Sequence, residues 1–394
     1  MRQIPFSVVT KPTGAACNLD CTYCFFLSKE LLYDEAGQRM TEEQLETYVR
    51  EFLAGQPDGE VTMAWQGGEP TMRGLAFFRR VVELTRQYQR PGQQVLQTIQ
   101  TNGTLLDDDW CEFLKEEGFL VGLSIDGPQH LHDAYRVNKA GRGTHAQVIR
   151  GWEFLRRHGV ETNILCTVNA ANQDHGAEVY RYFRDDLGAT FLQFIPIVER
   201  AGYETADGQR LLYLQQGNQV TERSVGSAQW GRFLSEVFDE WLKADVGKVF
   251  VQHFDVMLAA RFGQYSLCVH SPECGSALAV EHNNDVYSCD HYVEPEYKLG
   301  NLADGGFQKF LQTEEQREFG RSKRTSLTQQ CLRCPVRWAC HGGCPKDRFA
   351  ESVDGEPGQN YLCEGYYTFF THAAPTIEKM ARAVASGRPA ADYS

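Results

Sequence analysis

The segment CNLDCTYC, residues 17–24, places three thiols within eight residues. Cys17, Cys21 and Cys24 are too few for the four ligands of a closed structural zinc site, and an odd number does not complete a set of disulfides. Soft thiolates select zinc, Cu(I) or iron–sulfur clusters. A cubane 4Fe–4S cluster held by three thiolates keeps one iron free for a small molecule. We favour this interpretation over chance cysteines or a zinc knuckle that borrows a distant ligand.

The remaining cysteines also indicate metal binding. The chain has 13 cysteines, no signal-peptide-like N-terminus and no apolar run of about 18 residues. We therefore expect a cytoplasmic protein without a membrane partner, in which cysteines bind metal rather than form disulfides. Cys111 and Cys166 each stand alone in an apolar stretch and are expected to be ordinary buried thiols.

The composition excludes two further classes of protein. Hydrophobic residues make up 42% and charged residues 23% of the 394 residues, so we expect an ordered globular fold rather than a disordered chain. The net charge of −13 leaves no excess of Lys and Arg to neutralise phosphates, which argues against a nucleic-acid partner.

Up to about residue 200, short apolar runs alternate with amphipathic helical stretches. Strands are predicted at 6–10, 61–66, 96–101, 119–125, 161–168 and 191–198. Helices are predicted at 41–53, 75–88, 107–118, 145–159 and 177–188. This alternation predicts parallel strands with right-handed crossovers, in either an open six-unit barrel or a doubly wound sheet.

The pattern changes after residue 200. Residues 231–262 are predicted to be helical, and a cysteine-rich region begins at residue 268. We expect an α/β domain at residues 1–235, a cysteine-rich domain at 236–365, and a C-terminal helix and tail at 366–394.

The C-x3-C-x2-C motif, with Tyr23 before its last cysteine, resembles the radical S-adenosylmethionine (SAM) superfamily. The segments QGGEP (66–70), QTNG (100–103) and LSIDG (123–127) follow the second, third and fourth predicted strands, in the order that this family shows. The resemblance implies a partial (β/α)6 TIM-type barrel whose 4Fe–4S cluster binds SAM through its free iron. The reduced cluster then cleaves SAM to a 5′-deoxyadenosyl radical.

The same resemblance implies which residues contact SAM. They are Tyr23, Gly68, Glu69, Ser124, Arg136 and Leu192. Gly68 lets the backbone approach the aminoacyl group, and Glu69 or neighbouring carbonyls accept hydrogen bonds from its ammonium. The planar fork of Arg136 suits the SAM carboxylate. Leu192 is expected to pack against adenine.

A second set of thiols lies in the C-terminal third of the chain. From residue 331 the sequence reads CLRCPVRWACHGGCPKDR, and this resembles the SPASM extension of radical SAM peptide-modifying enzymes, which carries two auxiliary 4Fe–4S clusters. The resemblance implies one cluster on Cys268, Cys274, Cys289 and Cys344, and another on Cys331, Cys334, Cys340 and Cys363. Two structural zinc sites are the alternative. The family has Gly where this chain has Asn284, and Asn tolerates a left-handed backbone, so we expect the turn to be kept.

Within the superfamily, SCDHYVEPEYKLGN (288–301), CHGGCPKDRF (340–349) and LQFIP (192–196) resemble the anaerobic sulfatase-maturating enzymes. The resemblance implies oxidation of one Cys or Ser of a sulfatase to Cα-formylglycine, with Asp290 as the catalytic base beside the electron acceptor. Gln66, Gln100 and Asn102 are expected to position the substrate peptide. Phe26 stands where some relatives have Tyr.

Two other functions are compatible with these motifs. One is a SPASM enzyme that forms thioether or carbon–carbon cross-links in a ribosomal peptide, and the other is a non-catalytic iron–sulfur sensor or scaffold. The expected partners of the favoured function are an unfolded or nascent sulfatase and an electron donor such as flavodoxin or ferredoxin. The motifs do not distinguish a Cys target from a Ser target.

Overall fold

A computed structural model describes residues 3–33, 39–201 and 217–393. The strands of its main sheet are β1 Ser7–Thr10, β2 Gly59–Trp65, β3 Gln93–Thr101, β4 Leu120–Ser124, β5 Thr162–Val168, β6 Phe191–Pro196, β9 Phe250–Val251, β10 Ala277–Val280, β11 Asp285–Tyr287 and β12 Lys298–Asn301. Two small hairpins pair β7 Arg200–Ala201 with β8 Gln219–Val220, and β13 Ala350–Glu351 with β14 Pro357–Gln359. All six strands predicted before residue 200 are confirmed.

The helices cover one side of the sheet and build much of the C-terminal third. They are α1 Glu42–Gly55, α2 Gly74–Tyr88, α3 Asp108–Glu116, α4 Gln129–His132, α5 His145–His158, α6 Gly176–Arg181, α7 Ser227–Leu242, α8 Gln252–Ala260, α9 Phe307–Leu311, α10 Glu314–Thr325, α11 Gln329–Arg333, α12 Arg337–Cys340 and α13 Cys363–Ala385. The capping box predicted at the start of α1 is present, since Thr41 and Gln44 exchange hydrogen bonds. The helix predicted at 231–262 is instead two helices, because Gly247 takes a positive φ of 77° and β9 follows it.

The first six strands lie side by side in chain order and are all parallel. A doubly wound sheet reverses its strand order at a switch point, and this sheet does not. The structure therefore confirms the partial (β/α)6 arrangement.

Side chains alternate between two faces of each barrel strand. On β2, Val61, Met63 and Trp65 are buried against the helices. Residues of the opposite parity, such as Gln66 directly after β2, point into the barrel; we call this side the lumen face. Parity therefore decides which side chains can reach a ligand inside the barrel.

The sheet continues beyond the barrel into the cysteine-rich region. Strand β1 pairs in parallel with β10, and β10, β11 and β12 form an antiparallel series. The predicted boundary at residue 235 lies inside α7, which packs against α13 at Gly231 and Gly365. A Cβ added at Gly231 would lie 2.6 Å from the Gly365 carbonyl oxygen, so both helices need glycine at the crossing. The division into three domains stays a prediction.

Two further sequence expectations concern burial and turns. Cys111 and Cys166 are fully buried in the core, as predicted. Asn284 adopts φ of 67°, so the turn that relatives make with Gly is kept. Among the described residues, no helix is long and apolar enough to cross a lipid bilayer.

Candidate active site

The loop after β1 carries the first three predicted cluster ligands. Burial raises the pKa of the Cys17 and Cys21 thiols to about 12 and also raises that of Cys24. The three thiols interact electrostatically with one another, and the backbone N–H of Leu19 donates to the Cys17 sulfur at 3.4 Å. Buried thiols that resist ionisation become thiolates when a metal binds them, so this loop fits a metal cluster.

The QGGEP loop after β2 packs directly onto the first cysteine loop. Gly67 and Gly68 have φ of 92° and 50°. A Cβ added at Gly67 would lie 2.5 Å from Cγ of Lys11, and one at Gly68 would lie 2.3 Å from the Ala16 carbonyl oxygen. The two glycines therefore allow close approach to the segment that precedes Cys17, a role that the sequence interpretation assigned only to contact with SAM.

Glu69 anchors three loops from a buried position. Its carboxylate accepts hydrogen bonds from the backbone N–H and hydroxyl of Thr71, from the hydroxyl of Thr101 and from the backbone N–H of Asn102, at 2.6–3.0 Å. Burial raises the pKa of Glu69, whereas these four hydrogen bonds lower it. Because this carboxylate is fully used within the protein, the neighbouring loop carbonyls are the better acceptors for an ammonium group.

Substitution of Gly68 by Ala is expected to lower the free energy of unfolding by about 2–4 kcal/mol, through backbone strain plus a clash with the Ala16 carbonyl. Gly159→Ala is the matched control, because Gly159 also has a left-handed backbone, with φ of 65°, but has nothing closer than 4.0 Å to an added Cβ. Anaerobic urea unfolding of both variants, with their iron content, measures the difference. Equal losses in the two variants would contradict the clash.

Tyr23 and Arg136 meet at a carboxylate that the sequence interpretation did not select. The Tyr23 hydroxyl donates to Oδ2 of Asp126 at 2.5 Å, and Nε of Arg136 lies 3.0 Å from the same oxygen. The Arg136 Nη2 group donates to the Thr167 hydroxyl at 3.2 Å. Arg136 also interacts electrostatically with Cys21. Asp126 lies within the LSIDG segment, so that motif was the available signal for it.

The lumen face carries the predicted substrate-contacting amides. Gln100 donates to the Ser124 hydroxyl at 3.0 Å, and Gln66 is half-buried at the end of β2. Asn102 is different, since its side-chain amide donates to Asn18 at 2.9 Å and to the Cys17 sulfur at 3.7 Å. Asn102 therefore supports the first cysteine loop, while Gln66 and Gln100 remain directed into the barrel.

The expectation that the Leu192 side chain packs against adenine is wrong, because this side chain does not face the lumen. Leu192 is 2% exposed and belongs to the core on the helix side of β6, together with Phe194. Ile195 has the opposite parity, lies on the lumen face and is 41% exposed. A side chain on β6 that packs against adenine must face the lumen, and Ile195 meets that condition.

The auxiliary cysteines gather into the two sets that the resemblance implied. Direct electrostatic interactions connect Cys268, Cys274, Cys289 and Cys344. Others connect Cys331, Cys334, Cys340 and Cys363, which line a cavity of about 670 Å³. Across residues 3–33, 39–201 and 217–393, no three His, Cys, Asp or Glu side chains converge closely enough for a single metal ion.

Asp290 follows the auxiliary ligand Cys289 and lies in a group of buried charges. Its carboxylate lies 2.8 Å from Nζ of Lys11, which is also 2.8 Å from Glu281. Lys29 donates to the Asp290 carbonyl at 2.9 Å. Burial alone would raise the pKa of Asp290, but the nearby Lys11 and Lys29 ammonium groups lower it to about 2. Asp290 is therefore held as a carboxylate, the form that accepts a proton.

The pKa of Lys29 is also lowered, which for an amine favours the neutral form. Burial, followed by repulsion from Lys11, lowers the pKa of Lys29 to about 7. Neither lysine was singled out from the sequence, because each acquires its partners from the C-terminal third of the chain.

Comparisons with known proteins agree with this geometry. The radical SAM superfamily matches residues 12–183, and an iron–sulfur cluster-binding domain, SPASM, matches residues 272–335. The chain is similar to the serine-type anaerobic sulfatase-maturating enzyme of Bacteroides thetaiotaomicron, with 45% identity over 95% of this chain and 91% of the relative. It is also similar to the cysteine-type anaerobic sulfatase-maturating enzyme of Clostridium perfringens, with 34% identity over 96% of this chain and 98% of the relative.

Solved structures give the same result. The chain is similar to native anSMEcpe with bound AdoMet and Cp18Cys peptide, with a TM-score of 0.84, 32% identity, and coverage of 96% of this chain and 99% of the other. Streptococcus suis SuiB bound to precursor peptide SuiA has a TM-score of 0.62 at 16% identity, covering 92% of this chain and 76% of SuiB. The second likeness extends to the fold alone.

Proposed function

The chain belongs to the anaerobic sulfatase-maturating enzymes, and on that premise we propose that it oxidises one Cys or Ser of a sulfatase polypeptide to Cα-formylglycine. The observation that carries the proposal is the meeting, beside the first barrel strand, of two segments that are distant in the sequence. Pairing of β1 with β10 brings Lys11, which leads into the Cys17 loop, against Asp290, which follows Cys289. This contact supports the proposal that a radical source and a proton acceptor act on the same substrate carbon.

The residues fit the implied cofactors. Cys17, Cys21 and Cys24 would hold the SAM-binding 4Fe–4S cluster, and the two auxiliary thiol sets would hold two more. When bound, SAM and its cluster supply the radical that removes one hydrogen atom from the target Cβ.

Several lumen residues orient SAM in this proposal. The guanidinium of Arg136, oriented by Asp126, meets the SAM carboxylate together with Ser124. Backbone carbonyls of the loop held by Gly68 and Glu69 accept from the SAM ammonium. Tyr23, which belongs to the cysteine loop, donates a hydrogen bond to Asp126, and Ile195 rather than Leu192 would pack against adenine.

The substrate side chain is then bound between the barrel and Asp290. Gln66 and Gln100 hold the peptide from the lumen face, while Asn102 acts through the Cys17 loop. Asp290 takes the proton of the target thiol or hydroxyl. An iron–sulfur cluster held by an auxiliary thiol set would accept one electron from the same carbon, so a Ser target would lose two hydrogen atoms in total and become an aldehyde. A Cys target gives a thioaldehyde, which water hydrolyses to the same aldehyde.

The remaining partners follow from this chemistry. An external one-electron donor must reduce the SAM-binding site, and flavodoxin or ferredoxin is our proposal for it. An unfolded or nascent sulfatase fits better than a folded one, because the target must enter the barrel as an extended peptide. The cytoplasmic location stays a prediction. The similarity over 95% of the chain disfavours the cross-linking and scaffold alternatives.

Anaerobic incubation with SAM, a reductant and short peptides tests the function. Three peptides that copy the sequence around a sulfatase active site carry Cys, Ser or Ala at the target position. We expect mass loss of two hydrogens from the Ser peptide, or replacement of the thiol by an aldehyde oxygen in the Cys peptide, and no change in the Ala peptide. SAM consumption without change in either reactive peptide would favour the cross-linking alternative, and no SAM consumption would favour the scaffold.

A further inference from the structure

Lys323 is a buried lysine without a carboxylate partner among the described residues. It lies on α10, is fully buried, and donates to the backbone carbonyls of Cys268, Val269 and Ser271. A neutral amine has only two N–H donors, whereas an ammonium has three. Three carbonyl acceptors around one nitrogen therefore indicate a charged Lys323, clamped to the loop that begins at ligand Cys268.

Arg348 is a second cation in the same place. Its Nη1 donates to the Lys323 carbonyl at 2.7 Å, while Nε and Nη2 donate to the carbonyls of Gly342 and His341 at 3.1 Å each. These last two residues lie between Cys340 and Cys344, which belong to different thiol sets. Arg348 thus connects the segment between Cys340 and Cys344, which contributes to both thiol sets, with the backbone carbonyl of Lys323.

The negative charge that balances this pair must come from the cysteines. Within the described part of the chain, neither cation forms a salt bridge to Asp or Glu. Burial lowers the pKa of Lys323, whereas three ligands of the first auxiliary set, Cys268, Cys274 and Cys344, act to raise it. Arg348 interacts with ligands of both sets. An isolated buried charge is costly, so the fully buried Lys323 indicates an anionic group at the first set.

We propose that Lys323 and Arg348 raise the reduction potential of the auxiliary site on Cys268, Cys274, Cys289 and Cys344, and so make it the immediate electron acceptor in the reaction. A fixed positive charge in a low-dielectric interior stabilises the more negative, reduced form of a neighbouring group. Asp290, the next residue after Cys289, takes the proton while this site takes the electron from the same carbon. The inference deepens the proposed function and rests on it.

Redox titration of the anaerobic holoprotein, followed by electron paramagnetic resonance, tests the inference. The SAM-binding site is recognised because its signal changes when SAM is added, which leaves two transitions for the auxiliary sites. In Lys323→Gln and in Arg348→Gln, we expect one of these two transitions to become about tenfold harder to reduce, equal to about 59 mV for a one-electron couple. Glutamine keeps an N–H donor while it removes the charge.

Arg324→Gln is the matched control. Arg324 neighbours Lys323 on α10 and contacts Glu273 at 2.8 Å beside ligand Cys274, but its side chain is exposed and already paired. Its replacement should move neither auxiliary transition. The inference would be overturned if Lys323→Gln and Arg348→Gln both load iron fully and keep unchanged potentials. It would also be overturned by an equal shift in Arg324→Gln. If Lys323→Gln fails to load iron, Arg348→Gln alone decides.

The two levels of the proposal fail in different ways. Absence of iron or of SAM cleavage in the unaltered protein would refute the proposed function. Normal iron content, normal SAM cleavage and unmoved potentials in the variants would refute only the role of the two cations.

Discussion

Asp290→Asn is expected to cleave SAM at a normal rate and to form formylglycine about 10²–10⁴ times more slowly than the unaltered protein. The amide keeps the shape of the side chain but cannot accept the substrate proton as a carboxylate does. Hydrogen abstraction occurs on the barrel side of the site and does not need Asp290. The variant should therefore release 5′-deoxyadenosine without a matching amount of aldehyde.

The measurement is the ratio of aldehyde peptide to 5′-deoxyadenosine, by mass spectrometry and chromatography of the same reaction. Asp304→Asn serves as the control, because Asp304 is exposed after β12, away from the charges around Lys11. A normal ratio in Asp290→Asn would remove Asp290 from the mechanism. A lowered ratio in both variants would point to a general loss of structure.

Lys11→Met is expected to lower the free energy of unfolding by about 3–5 kcal/mol, because it leaves two carboxylates without their shared counter-ion. Lys11 is fully buried, and both Glu281 and Asp290 lie 2.8 Å from its nitrogen. Methionine fills the volume of the lysine stem against Gly67, so the loss reports the charge rather than a cavity. The double variant Lys11→Met/Glu281→Gln should regain part of the stability.

The pH dependence gives an independent check by urea unfolding. In the unaltered protein, the pKa of Asp290 is lowered from its ordinary value of 3.8 to about 2. Its stabilising contribution is therefore complete above the ordinary value and is lost only as the pH falls toward about 2. Without Lys11, burial raises the pKa of Asp290, so the variant should gain stability relative to the unaltered protein as the pH falls from about 7 to about 4. A stability difference that stays constant over this range would exclude the ion pairs as its cause.

Local patterns were enough to predict the alternating strands and helices, whereas the choice of a barrel came from the family resemblance. The strand at 59–65 and the capped helix after Thr41 are set by neighbouring residues, so periodicity and capping located both. Asn284 adopted the left-handed turn that its side chain permits. The cysteine sets, by contrast, came from a resemblance to a family, since spacing alone does not show which thiols meet across 76 residues from Cys268 to Cys344.

The errors and omissions all concern information that a linear pattern lacks. The position of Leu192 within a motif did not reveal its strand parity, which only register with β5 determines. Lys11 and Lys323 look like solvent-exposed residues in the sequence, but both are buried. The partner of Lys11 is 270 residues away in the sequence, and that of Lys323 is 55 residues away. Long-range pairing of this kind is what converts ordinary lysines into parts of an active site.

The parallel pairing of Ser7–Thr10 with Ala277–Val280 affects any attempt to separate the N-terminal and C-terminal parts of this enzyme. A truncated N-terminal portion would leave the backbone donors and acceptors of its first strand facing water along an open margin, which invites intermolecular strand addition. It would also lose Glu281 and Asp290, the two carboxylates that balance the buried ammonium of Lys11. The radical-generating and electron-accepting parts are therefore not interchangeable modules. In chimeras of related enzymes, these two paired strands should come from the same parent.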